Sequence, residues 1–154
     1  MSREADWLVD TNILIHVMRG SPLGRHVVDS LKFRARDRTP LLSVVSQGEL
    51  FSFARHNRWG KQKLDLLEEL LNELVIVDVV ATSRVLHETY AELDAVSRGL
   101  GRKMGKNDLW IAATAAVSGA TLLTTDKDFD HLSPAKLSVW LFDPDATAWP
   151  SAPS

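Results

Sequence analysis

Lys106-Asn107-Asp108-Leu109-Trp110-Ile111-Ala112-Ala113-Thr114-Ala115-Ala116-Val117 reads as a helix of alanines and aliphatics, stopped by Gly119. Small residues on its inner face let its backbone pack closely against a sheet. Asn107 and Asp108 fall in the opening turn. A carboxylate on an otherwise apolar helix is costly to bury unless something positive meets it. Taken alone, Asp108 has a structural explanation, since an acid at a helix start satisfies backbone N–H groups and the macrodipole. The flanking sequence shows that it does not stand alone.

Immediately before this helix runs Arg98-Gly99-Leu100-Gly101-Arg102-Lys103-Met104-Gly105-Lys106, a loop of glycines and basic residues. Its spacing is not that of a Walker loop, and it follows a helix rather than a strand. It reads either as a solvated loop or as a basic lip that holds phosphates beside Asp108. Immediately after the helix, Ala120 to Thr125 is a strand, ending in the acid-rich turn Asp126-Lys127-Asp128-Phe129-Asp130-His131. Leu137 to Phe142 predicts a last strand, and the proline-bearing residues 143–154 an irregular tail.

Further upstream the same alternation recurs. Trp7-Leu8-Val9 is a buried strand that ends abruptly at Asp10-Thr11-Asn12, and a helix with Ile13, Leu14, Val17 and Met18 on one face follows to Gly20. Pro22 opens a second helix with a basic end at Lys32, Arg34, Arg36 and Arg38. Leu41 to Val45 is the next strand candidate, running into Ser46-Gln47-Gly48-Glu49. That is a capping-box pattern, so Glu49 either reaches back to the Ser46 amide or serves a site. Leu64, Leu67, Leu70, Leu71 and Leu74 stripe a helix from Lys61. Val75 to Val80 predicts a third strand, and Thr82 caps the helix that runs on to Gly99.

The bulk numbers set limits. A chain of 154 residues fits one domain, and 45% apolar with 25% charged residues is an ordinary globular balance. There is no cysteine, which removes disulfides, thiolate metal sites and cysteine nucleophiles. A net charge of -2 is not that of a general nucleic-acid binder, so a polyanionic substrate needs a local basic patch or a metal. No signal peptide or membrane-length apolar run is visible, which makes the cytoplasm the expected location.

Strands alternating with helices imply a right-handed parallel α/β sheet. Asp10, Glu49 and Asp126 each follow a strand, and Asp108 starts a helix facing the same sheet end. Ligands collect beyond the carboxyl ends of such strands. Four carboxylates converging there repel one another unless a divalent cation neutralises them, and Mg²⁺ and Mn²⁺ favour oxygen ligands. Such an ion clamps a phosphoryl oxygen and acidifies water, which is the chemistry of phosphodiester hydrolysis. Thr11, Asn12 and Thr125 are placed to orient the carboxylates or hold waters. Three rivals are weaker. A phosphoacceptor receiver wants paired acids after its first strand, where this chain has Asp10 alone. A D-x-D phosphatase wants an acid at position 12, where Asn12 stands. A binding module acting through a protein partner has no need of an intact acid quartet.

Val9-Asp10-Thr11-Asn12, Ser46-x-x-Glu49-Leu50, Lys106-Asn107-Asp108-Leu109-x-Ile111-Ala112-Ala113 and Leu123-Thr124-Thr125-Asp126-x-Asp128-Phe129, in this order, strongly resemble the PIN-domain nucleases. Among these the chain looks most like the VapC-type toxins of bacterial toxin–antitoxin pairs. The resemblance runs from about Leu8 to Phe142, so the expected PIN domain covers residues 1–142. It implies a three-layer α/β/α sandwich with a central, mainly parallel sheet, and Mg²⁺- or Mn²⁺-dependent endoribonuclease activity. It also implies a homodimer and inhibition by a small antitoxin protein. Asp10, Glu49 and Asp108 match the family's core acids. Asp126 best matches the fourth, with Asp128 also a candidate, and Thr125 corresponds to a supporting hydroxyl. On this reading Asp10, Asp108 and Asp126 hold metal, Glu49 completes the site or positions water, and Arg102, Lys103 and Lys106 hold the RNA backbone.

Overall fold

The computed structural model describes residues 6–31 and 40–150, apart from the Leu31 side chain. Five parallel strands form one sheet in the order β3-β2-β1-β4-β5. They are β1 (Trp7–Val9), β2 (Leu41–Ser43), β3 (Val75–Val77), β4 (Thr121–Thr124) and β5 (Ser138–Leu141). Helices α1 (Thr11–Arg19), α2 (Pro22–Leu31), α3 (Val44–His56), α4 (Lys61–Asn72), α5 (Arg84–Gly99) and α6 (Lys106–Ser118) cover the two faces. A 3-10 turn, Lys127–Leu132, joins β4 to β5.

Side-chain alternation along the strands builds a core on each face. Trp7, Val9 and Leu123 pack with Ile13, Leu14, Leu50, Leu67 and Leu71 on one side. Leu8 and Leu122 pack with Leu86, Leu93, Ile111, Ala112 and Phe129 on the other. Both faces of the central strands are therefore apolar, as a helix-covered parallel sheet requires. Fully buried Ala112, Ala113 and Ala115 bring α6 onto the sheet, and Gly119, at φ 66°, ends it, its backbone N–H donating to the Ala115 and Ala116 carbonyls.

Local boundaries differ from expectation in instructive ways. β2 stops at Ser43, whose hydroxyl accepts from the Val45 amide at 3.1 Å and caps α3. The helix thus starts a turn early, Ser46 lies inside it, and the capping-box role of Glu49 disappears. Ser83, not Thr82, caps α5, accepting from the Leu86 amide. β3 ends at Val77, after which Val79 turns to pack on the α5–α6 side. In α4 Leu67, Leu70 and Leu71 are buried, while Leu64 is 41% exposed. The basic segment Lys32 to Arg38 lies outside the described residues. Residues 142–150 form no helix or strand, yet Trp149 packs on the His26 ring at 5.4 Å and donates its indole N–H to the Asp143 carbonyl.

Candidate active site

β1 lies at the centre of the sheet. From it the chain proceeds outward to β2 and β3, then returns to the other side of β1 for β4 and β5. The gap beyond β1 and β4 is a topological switch point, where open parallel sheets bind ligands. The β1–β4 ladder continues one residue further, the Asp10 amide donating to the Leu123 carbonyl at 2.9 Å. That bond pins Asp10 at the mouth of the gap.

Asp10 is 4% exposed and caps α1. One carboxylate oxygen accepts from the Thr11 amide at 2.8 Å. The other accepts from the Thr124 hydroxyl at 2.7 Å and the Asn12 amide group at 3.0 Å. Asn12 also accepts from the Thr125 backbone amide at 3.1 Å, tying the turn after β1 to the end of β4. Glu49, freed from capping, reaches across from α3 and accepts the Thr11 hydroxyl at 2.7 Å. Asp126 caps the 3-10 turn by accepting from the Asp128 amide at 2.9 Å, and its own amide donates to Thr124.

Asp108 sits in the first turn of α6, whose cap is Gly105 with no side-chain bond. Among the described residues no donor reaches its carboxylate. What it faces is other acids. Carboxylate oxygens of Asp108, Asp126 and Asp128 lie within 4.8 Å of one another. Ligands on opposite sides of a divalent ion held by oxygen stand roughly 4–5 Å apart, so the trio fits a hard cation. Asp10 and Glu49 complete the acidic surround, since both act electrostatically on Asp108.

Proton affinity reports this crowding. Burial, then the charges of Asp10, Asp126, Glu49 and Asp128, push the Asp108 carboxyl up to about 6. Asp10 also rises to about 6, chiefly by burial; the Thr124 and Thr11 hydrogen bonds oppose the rise, and Glu49 and Asp126 add to it. A cation among these groups would favour their ionised forms.

The structure gathers Asp10, Thr11, Asn12, Glu49, Asp108, Asp126 and Asp128 at one end of the sheet. It places Thr125 there through its amide, whereas the hydroxyl that meets Asp10 is that of Thr124, fully buried at the strand end. Sequence reasoning passed over Thr124 because its neighbour offers the same group. Arg102 and Lys103 line a cleft of about 370 Å³ with Met104, Lys127 and Asp128, so the basic loop does abut the acids. Lys127 is a further cation there, overlooked among the acids around it. Lys106 is exposed at the start of α6 and Arg98 is held by Asp94, outside this cleft.

A buried acid at a switch point, a trio of carboxylates and a basic cleft beside it thus meet at one end of an α/β/α sandwich. The PIN-domain family profile matches residues 7–133, and the chain belongs to that family. It is similar to the plasmid stability protein StbB of Pseudomonas syringae pv. tomato, 32% identical over 122 residues, which cover 77% of this chain and 86% of that protein. Ribonuclease VapC1 of Haemophilus influenzae is 27% identical over 135 residues, 87% of this chain and 97% of the relative. Among solved structures, VapBC2 from Rickettsia felis bound to a promoter DNA fragment superposes with a TM-score of 0.75 at 25% identity, covering 89% of this chain and 98% of the matched one.

Proposed function

We infer that this chain is a divalent-metal-dependent endoribonuclease and the toxin of a toxin–antitoxin pair. The observation that carries the reading is the trio Asp108, Asp126 and Asp128, with oxygens within 4.8 Å, set against buried Asp10 at the switch point. The VapC ribonucleases among its relatives, and the match to a VapBC complex, support the same assignment.

Mg²⁺ or Mn²⁺ bound here would polarise a phosphoryl oxygen and lower the pKa of a water. Asp108, Asp126 and Asp128 would hold the ion, and Asp10 would add a further ligand or charge. Thr124, Asn12 and the Thr11 amide fix Asp10, a role that outer partners commonly play around metal ligands. Glu49, held by the Thr11 hydroxyl, positions the attacking water and takes its proton. Arg102, Lys103 and Lys127 hold a phosphate beside the scissile one, and Lys106 adds charge at the lip. The PIN domain extends through Phe142, and an irregular tail follows from Asp143. The toxin works in the cytoplasm as a homodimer and is silenced by a small antitoxin covering the acids. No helix among the described residues is long and apolar enough to cross a membrane.

The test is cleavage of structured cellular RNAs by the purified chain in Mg²⁺ or Mn²⁺. Cleavage that disappears in EDTA and in Asp108→Asn establishes the nuclease. Full activity in either control removes the metal centre from the mechanism. Co-purification with the product of the neighbouring gene tests the antitoxin assignment.

A further inference from the structure

A groove of about 680 Å³ runs from Glu49 along α3, with Asn107 of α6 as its far wall. It is broad and open to solvent, with Gly48, Ser52, His56 and Asn107 all exposed. Val44, Val45 and Phe53 contribute apolar atoms, the Phe53 ring itself being met by Arg19 and the Trp59 edge, and Ser52 and His56 add polar atoms along one helix face. Gly48 lies in that face, in the interior of α3. Glycine weakens a helix interior relative to alanine, so its place there needs a reason. Backbone geometry supplies none, because Gly48 has no positive φ. Packing supplies none either: a Cβ at Gly48 would meet nothing within 4 Å. By contrast Gly24, also helical, is forced by the His16 carbonyl of α1, 2.1 Å from where its Cβ would stand. The bare backbone at Gly48 is exposed to the groove beside an acid of the site, as close approach of a ligand would require.

We propose that this groove is a nucleoside subsite, taking the base and ribose next to the scissile phosphate, with Gly48 as its size gate. The proposal rests on the nuclease reading. The apolar atoms suit the face of a base, the polar ones suit its edge, and continuity with Glu49 sets it one nucleotide from the acids. Base-stacking subsites tolerate different bases while anchoring the strand. Gly48 then leaves room for the ribose against the helix backbone.

The experiment uses the full chain with an RNA hairpin that wild type cleaves in Mg²⁺, and versions in which the base on either side of the cut is replaced by an abasic ribose. Gly48→Ala and Gly48→Leu are compared with wild type for cleavage, Mn²⁺ affinity and melting temperature. The expected result is a KM that climbs with side-chain size, about ten-fold for Leu, a loss typical of one stacked base. Mn²⁺ affinity stays at the wild-type level, and Gly48→Ala melts about 2 °C higher. Wild type loses affinity for one abasic RNA, and Gly48→Leu no longer distinguishes that RNA from the intact one. A flat KM across the series overturns the proposal. So does Mn²⁺ affinity that falls in step with KM, since the added side chain would then act through Glu49. A series flat for RNA that weakens capture of the antitoxin assigns the groove to the protein partner and overturns the nucleoside. A wild-type chain that cleaves no RNA sinks the nuclease reading itself, and with it the subsite, without recourse to any variant.

Discussion

Asp108 and Asp10 are each raised to about 6 by burial and by acidic neighbours. Both carboxyls bind protons more tightly folded than unfolded, where the value is 3.8. Between these values the folded chain holds more protons, so their stabilising contribution is full below about pH 4 and lost as pH rises through about 6. In EDTA, the urea midpoint should therefore fall from pH 4.5 to 7 by way of these groups. Asp108→Asn, which removes the charge with little change of shape, should flatten that fall and melt above wild type at pH 7 while losing cleavage. A variant that melts lower and still cleaves would contradict the assignment. Thr124→Val tests the support beneath. It leaves Asp10 without its shortest hydrogen bond and the Asp126 amide without an acceptor. The expected cost is about 1–3 kcal/mol in denaturant unfolding. Loss of such outer support also weakens metal affinity by about 10–100-fold, which Mn²⁺ titration would measure.

At the scale of elements, α1 and α2 meet at Gly24, where any Cβ would strike the His16 and Val17 backbone. Gly24→Ala should cost about 3 kcal/mol, because backbone cannot yield as a flexible side chain does. Thermal unfolding within a degree of wild type would show that the two helices slide apart freely. Elements are also where sequence and structure can be compared most usefully. The strands are legible because short apolar runs end at polar turns, and α6 because alanines stop at Gly119. The start of α3 is not, because Ser43 and Ser46 both precede plausible first turns, and it is the Ser43 hydroxyl that takes the cap bond, from the Val45 amide. That one-turn shift releases Glu49 from a cap and lets it meet Thr11. Likewise the period of two along β4 decides which of Thr124 and Thr125 points inward, and no composition cue separates them. The strand-end acids Asp10 and Asp126 and the helix-start acid Asp108 are readable from spacing. That Asp128 joins Asp108 and Asp126 depends on the 3-10 turn, which a cluster of acids does not announce.

For the whole molecule, the acids are contributed by separate elements whose positions depend on one cooperative sheet. A cation bound only by the folded chain stabilises it by mass action, about 2.7 kcal/mol at a hundred times the dissociation constant. Saturating Mn²⁺ at pH 7 should raise the melting temperature by roughly 5–10 °C. The rise should vanish in Asp108→Asn. An equal rise in that variant would place the ion elsewhere.

The pairing of β1 with β4 also bears on how the protein is made. Val9 and Leu123 are register partners, and Asp10 is anchored by the Leu123 carbonyl. While a ribosome is still translating the middle of the message, β1 has neither its neighbour nor the Thr124 hydroxyl. Asp126 and Asp128 do not yet exist. On the proposed reading, a growing or prematurely terminated chain lacks part of the acid cluster and the strand that anchors Asp10. A fragment ending at Gly119 should neither bind Mn²⁺ nor cut RNA, and supplying residues 120–150 as a separate peptide is the measurement of choice. Activity recovered on mixing would show that the centre is assembled only with the closing strands, late in synthesis and all at once.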